Sequence, residues 1–181
     1  VLDGPLRQDV KQCIESLDPG RYKVVDLVSN RGLGIALARG VEECSNELIA
    51  RMDTDDYSED ENRFSLQLDF LSAHPEVSIC GGALLEHYHD GASSVSEVRR
   101  QPEEHGNIKK WAKRRNPMNH QTVMFRKGDV LMAGNYQHMP FFEDYYLWSR
   151  LIHVGCRLAN LPGIFATTVI DRRYFERRGG L

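Results

Sequence analysis

The sequence predicts one α/β domain with an open sheet, and three observations carry that prediction. Apolar, β-branched runs alternate with stretches of helical periodicity, and the loops between them are short. Charge is concentrated where one predicted strand ends, the place where open α/β sheets bind ligands. A chain of 181 residues is long enough for one real core and too short for two comfortable ones.

The elements follow in order. RYKVVDLVS (Arg21 to Ser29) is rich in β-branched residues and reads as a strand. NRGLG is a glycine-punctuated loop. IALARGVEECS places Ile35, Leu37, Ala38 and Val41 at mostly helical spacing and stops at Ser45-Asn46. ELIARM is a strand that runs into acids. ENRFSLQLDFLSAHPE carries Phe64, Leu68 and Leu71 on one helical face and ends before Pro75, and VSICGGALLEHY is the next strand. Strand, helix, strand, helix, strand is the pattern of a doubly wound sheet. Asp90 to Asn116 is polar and basic, a loop with a short helix around Trp111. HQTVMFRK is a further strand. DYYLWSRLIHVG is a helix that aligns Leu147, Trp148, Leu151 and Ile152 and stops at Gly155. CRLANLPG is a short closing strand, and DRRYFERRGG is a cationic loop.

Composition narrows the function. Hydrophobic residues at 41% and charged residues at 27% describe a globular chain rather than a disordered one. A net charge of -3 disfavours nucleic acid as a bulk electrostatic partner. The cysteines at 13, 44, 80 and 156 include no CxxC pair, which fits a reducing, cytoplasmic setting better than a zinc ribbon or a disulfide framework. No apolar run approaches the ~20 residues of a membrane span.

Two acidic sites carry the chemistry. Asp53, Asp55 and Asp56 stand together at a strand end, where alternate carboxylates converge on a hard cation whose open positions phosphate oxygens fill. An EF-hand is excluded because loop position 6 is Ser58 and position 12 is Phe64. Capping of the following helix by Ser58 or Asp60 accounts for Ser58 to Glu61 without accounting for Asp53 to Asp56. Glu143-Asp144 follows two phenylalanines, and a carboxylate beside apolar rings can act as a general base; capping of its own helix is the competing explanation. His87 and His89 have no evident third metal ligand. KKWAKRR (Lys109 to Arg115) is either a solvated helix face or a contact for acidic lipid.

NRGLG through ICGG, residues 30 to 82, closely resembles bacterial family 2 glycosyltransferases that build capsular and other extracellular polysaccharides. MNHQTVMFRKGDVLMAGNY with FFEDYYLWSRLIHVG is similar to that family's acceptor side, and VLDGP looks like the end of its second strand. The resemblance implies a GT-A fold: an open mixed sheet flanked by helices, in a single domain. Residues 1–85 would form the nucleotide-sugar and metal half, and 86–181 the acceptor half. It implies an inverting, metal-dependent transfer of a hexose from a nucleotide-diphosphate sugar, a UDP-sugar foremost, to a saccharide or lipid-linked saccharide. Asp3, Arg31 and Asp53 match nucleotide-binding positions. Asp55 and Asp56 match the ligands of Mn²⁺ or Mg²⁺. Asp144 matches the catalytic base, with Glu143 beside it. His120 lies in a region the family places near the sugar or the metal, and Arg177 and Arg178 could close over the diphosphate, which makes the three candidate acceptor or diphosphate contacts. The expected location is cytoplasmic, at the inner face of the membrane through a peripheral contact. The family opens with a strand and helix carrying further nucleotide contacts, and one such unit, roughly 30 residues, is expected to be absent before VLDGP. Its rivals are a binding domain without turnover and a nucleotidyltransferase, which calls for a glycine-rich loop bearing lysine.

Overall fold

The computed structural model describes residues 1–58, 60–89 and 94–171. In chain order the elements are α1 (Gln8–Glu15), α2 (Leu33–Glu43), β1 (Leu48–Ala50), α3 (Arg63–Ala73), β2 (Val77–His89), β3 (Ser94–Arg99), α4 (His105–Trp111), β4 (Met124–Arg126), α5 (Lys127–Met132), α6 (Glu143–His153) and β5 (Arg157–Ile170). A 3-10 turn, His120–Thr122, precedes β4.

The sheet is mixed and organised on β2. Along one edge of β2, Ile79 and Cys80 pair antiparallel with β4, and Leu84 to His89 pair antiparallel with β3. Along the other edge β5 runs parallel from Val77 to Tyr88, and β1 extends the sheet beyond β4. Successive side chains of a strand face opposite ways, and the core divides accordingly. Ile79 and Phe125 join Leu147, Trp148 and Leu151 of α6 on one face; Cys80 and Met124 join Leu71 of α3 on the other. Helices therefore cover both faces, as an open α/β sheet requires.

Helix α6 is written clearly into its sequence. Glu143 and Asp144 occupy its first turn, Arg150 and His153 its last, an arrangement that complements the helix dipole. Gly155, at φ 92°, turns the chain out of the helix.

Four sequence expectations are corrected. Arg21 to Ser29 forms no strand; among the described residues it contributes one parallel bridge, Leu2 with Asp26. Its β-branched residues stay largely solvent-facing, and strand propensity without a paired neighbour is too weak to hold a strand. The polar stretch after residue 90 contains β3, whose side chains are almost all exposed, so no apolar alternation announces it. β5 continues past Pro162-Gly163, where register shifts between Gly81 and Leu84 absorb the irregularity. The strand expected over His120 to Lys127 is reduced to Met124–Arg126 between the 3-10 turn and α5.

Candidate active site

The acid loop is held at both ends. At its start Arg51, the residue after β1, donates its amide to the Val123 carbonyl at 2.9 Å. The buried Arg51 guanidinium grips Asp53 through two bonds, Nη1 to Oδ2 at 2.8 Å and Nη2 to Oδ1. At its end Tyr57 exchanges backbone bonds with Thr167 of β5, at 3.1 and 2.7 Å. A second buried guanidinium lies behind the loop. Arg63 donates to the carbonyls of Arg51 and Gln121 at 2.8 and 2.9 Å, and its Nε to Gln67 at 3.2 Å. Burial lowers its pKa to about 10, so it remains a cation at neutral pH.

Asp56 differs from Asp53. Its Oδ2 is buried and has no hydrogen-bond partner. Burial raises its pKa above the usual carboxylate range, against a hydrogen bond from Thr168, and the charges of Asp53 and Asp55 add to the rise. A buried carboxylate oxygen without a proton donor, next to two other acids, suits a hard cation. Among the described residues no group of three or more His, Cys, Asp or Glu side chains could hold a metal alone. Asp55 and Asp56 could hold an ion only together with other ligands, such as phosphate oxygens, which commonly complete Mg²⁺ sites.

Across the cleft, Asp144 is partly buried in the first turn of α6. Asn116 Nδ2 donates to its Oδ2 and the Tyr145 amide to its Oδ1, both at 2.6 Å. Burial raises the Asp144 pKa and outweighs those two bonds and the nearby Arg51 charge, which act the other way. Glu143 is buried beside it. His120 Nε2 lies 2.9 Å from the Tyr136 hydroxyl, and the ring packs edge-on to Trp148. Burial depresses its pKa strongly, so the imidazole is neutral and cannot meet a diphosphate as a cation.

The glycine loop closes the third side. Gly32, at φ 89°, leads into α2, a conformation that a side chain resists. A Cβ on Gly34 would lie 2.2 Å from the Gln137 carbonyl oxygen, so only glycine lets this turn pack against the segment before α6. Both oxygens of Asp3 accept amides of this loop, from Arg31 at 2.6 Å and Gly32 at 2.9 Å.

These elements surround a cleft of about 880 Å³. Of the residues expected from the sequence, Asp53, Asp55, Asp56, His120, Glu143 and Asp144 line it together. Asp3 and Arg31 do not line it and border it through Gly32. Arg177 and Arg178 lie outside the described residues. Sequence reasoning missed Arg51, Arg99, Gln101 and Asn116, all in the cleft wall. For Arg51 a signal existed: it stands two residues before Asp53, and period two puts both on one side of an extended chain.

A family model described as glycosyl transferase family 2 matches residues 1–133. The chain belongs to glycosyl transferase family 2. Within that family it is 40% identical over 183 residues to the amylovoran biosynthesis glycosyltransferase AmsE of Erwinia amylovora, covering 99% of this chain and 66% of AmsE. It is 30% identical over 184 residues to the UDP-Gal:alpha-D-GlcNAc-diphosphoundecaprenol beta-1,3-galactosyltransferase of Escherichia coli, covering 100% of this chain and 65% of that enzyme. The chain thus spans about two thirds of the length of these relatives. The fold is that of the GT-A glycosyltransferases. The mannosyltransferase PcManGT from Pyrobaculum calidifontis, solved with GDP-Man and Mn2+, aligns with a TM-score of 0.65 at 13% identity, over 93% of this chain and 46% of its own. TarS of S. aureus (residues 1-349) aligns at 0.62 and 14% identity, over 90% and 47%.

Proposed function

We propose that this family 2 chain carries the catalytic cleft of a glycosyltransferase that moves a hexose from a nucleotide-diphosphate sugar to a saccharide or lipid-linked saccharide. One observation carries the reading: two acidic sites, distant in sequence and different in environment, face a single cleft. The GDP-Man and Mn2+ bound to the mannosyltransferase neighbour and the lipid-linked acceptor of the Escherichia coli relative support it. A UDP-sugar is the preferred donor. Among the described residues no helix is long and apolar enough to cross a membrane. A peripheral contact is the proposed route to a lipid-linked acceptor.

In this reading Asp55 and Asp56 would hold Mn²⁺ or Mg²⁺, which would supply positive charge against the departing diphosphate. Asp53, fixed by Arg51, orients the donor beside the glycine loop, with Asp3 holding that loop and Arg31 next to it. Asp144 is the base. The acceptor hydroxyl oxygen bonds to the anomeric carbon as the carbon–oxygen bond to the diphosphate breaks, and the hydroxyl proton passes to Asp144. One displacement inverts the anomeric centre. A raised pKa gives Asp144 more affinity for that proton than an exposed aspartate has. Asn116 keeps its carboxylate aimed, and Glu143 shapes the acceptor pocket next to it.

Thermal unfolding against UDP, GDP, CDP, ADP and dTDP, with and without Mn²⁺, tests the donor side. A ligand that binds the native state at ~100 times its Kd adds ~2.7 kcal/mol, a readable rise in midpoint. A rise for one nucleotide that EDTA abolishes is the expected result. Stabilisation by a nucleotide without any need for metal would remove Asp55 and Asp56 from that role.

A further inference from the structure

We propose that the acceptor-side rim of the cleft is a docking surface for an anionic membrane. The rim has two parts. One is the loop before α6, where Phe141 and Phe142 are 67% and 58% exposed and line the cleft mouth. The other is the segment from α4 into the turn after it, where Lys109, Lys110, Lys113, Arg114 and Arg115 are all exposed. Both meet the first turn of α6: the Tyr145 hydroxyl donates to the Ala112 carbonyl, and Asn116 donates to Asp144.

Neither part is explained by the fold. Phe141 sits at φ 69°, a left-handed conformation that a bulky residue resists, and it buries little in return. Backbone strain of this kind gathers at sites where a residue serves something besides packing. Among the described residues the five cations form no ion pair with an acid, although the chain as a whole is net negative. Arg115 instead lies over the half-exposed ring of Trp111, 5.0 Å from its centroid.

Exposed aromatics next to unpaired cations suit a bilayer interface, where rings enter the headgroup boundary and cations approach acidic lipid. Charge complementarity selects an anionic surface over a neutral one. Docked this way, the mouth of the cleft opens onto the headgroup layer, and Asp144 stands one hydrogen bond behind the basic segment. This names the partner surface of the proposed acceptor side and rests on that proposal for its biological sense. The binding itself is measured without turnover, so its failure and the failure of the transferase reading are separate results.

The test is co-sedimentation of the chain with phosphatidylcholine vesicles, with and without phosphatidylglycerol as about a third of the lipid. The expected result is binding to the anionic vesicles that high salt reverses, and little binding to the neutral ones. Lys110→Gln, Lys113→Gln and Arg114→Gln combined should weaken it on the order of 100-fold, at about a factor of five per cation, with an unchanged thermal midpoint. Phe141→Asn, which a left-handed backbone accepts, should weaken binding while preserving its salt dependence. No binding to either vesicle, equal binding to both, or binding that survives the triple variant would overturn the proposal. So would concentration-dependent self-association that the same triple variant abolishes, which would make the rim a contact between copies of the chain.

Discussion

The two acidic sites on the cleft each hold a carboxylate whose pKa burial raises, and they differ in what else surrounds it. At the first, Asp53 is locked to a buried guanidinium, while Asp56 keeps a buried oxygen without a hydrogen-bond partner among the described residues. On the acceptor side Asp144 accepts a bond on each oxygen, one from its own helix and one from Asn116, and burial still lifts its pKa. In the proposed reading the first site is one whose charge a bound cation would offset. The second keeps a carboxylate aimed yet disposed to take a proton. Proximity in one cleft does not make carboxylates equivalent; what surrounds each one assigns its task.

Several substitutions would break or sharpen that contrast. The largest effect belongs to Asp144→Asn, expected to cut transfer by about 10³-fold while nucleotide binding stays intact. Retained transfer would remove Asp144 as the base. Asp55→Asn should do the reverse and lower metal-dependent nucleotide affinity by roughly 100-fold, measured by titration calorimetry with Mn²⁺ present; the order follows from losing one of two proposed charged ligands. Arg51→Met should lower stability by ~3 kcal/mol, since it leaves Asp53 facing the site of a lost buried cation. Asp53 is a third exposed, which keeps the figure at the low end. A thermal midpoint equal to the parent's would show that the pair is held for orientation alone.

Two smaller effects sharpen the acceptor side. The folded-state pKa of Asp144 lies above its unfolded value, so the folded protein loses stability as pH rises through that interval, and the deficit is complete above it. Asp144→Asn should therefore raise the midpoint at neutral pH, and the gain should vanish below the unfolded aspartate value of about 3.9. An inactive variant that is more stable than its parent is the signature. For the parent, the same shift puts the acid limb of transfer above the ordinary aspartate range. Asn116→Ala removes a bond that lowers the Asp144 pKa, so that limb should move to higher pH, with roughly a tenfold loss of rate.

Much of this was legible in the chain, for physical reasons. α2 and α6 each bury an apolar stripe, and burial of such a stripe writes period into sequence; α3 forms as expected but buries Arg63, Gln67 and Leu71, while Phe64 and Leu68, expected on its inward face with Leu71, stay exposed. The acid triplet and Glu143-Asp144 were visible because clustered charge at an element's end is uncommon. β3 was not visible: its stability lies in backbone pairing to β2, and backbone bonds leave little trace in side-chain pattern. Arg21 to Ser29 failed the other way, with strand propensity but no sheet to join. Asn116 acts through Asp144, a partner distant in sequence that no local window pairs with it, whereas Arg51 stands two residues from Asp53 and was within reach of that spacing. The expected roles of Asp3 and Arg31 came from the resemblance; the structure adds that Asp3 ties down the loop that Arg31 belongs to.

The bridge between Tyr57 and Thr167 has a consequence for how the protein is made. As the chain leaves the ribosome, Asp53, Asp55 and Asp56 emerge early, while the strand that fastens their loop is synthesised more than a hundred residues later. Contacts of such long sequence separation form late, because their loop-closure entropy must be met first. The acid loop is thus exposed to solution before it has a shape, and takes its final form only when β5 docks along β2. If the proposed metal role holds, competence to take up the ion would follow completion of the sheet.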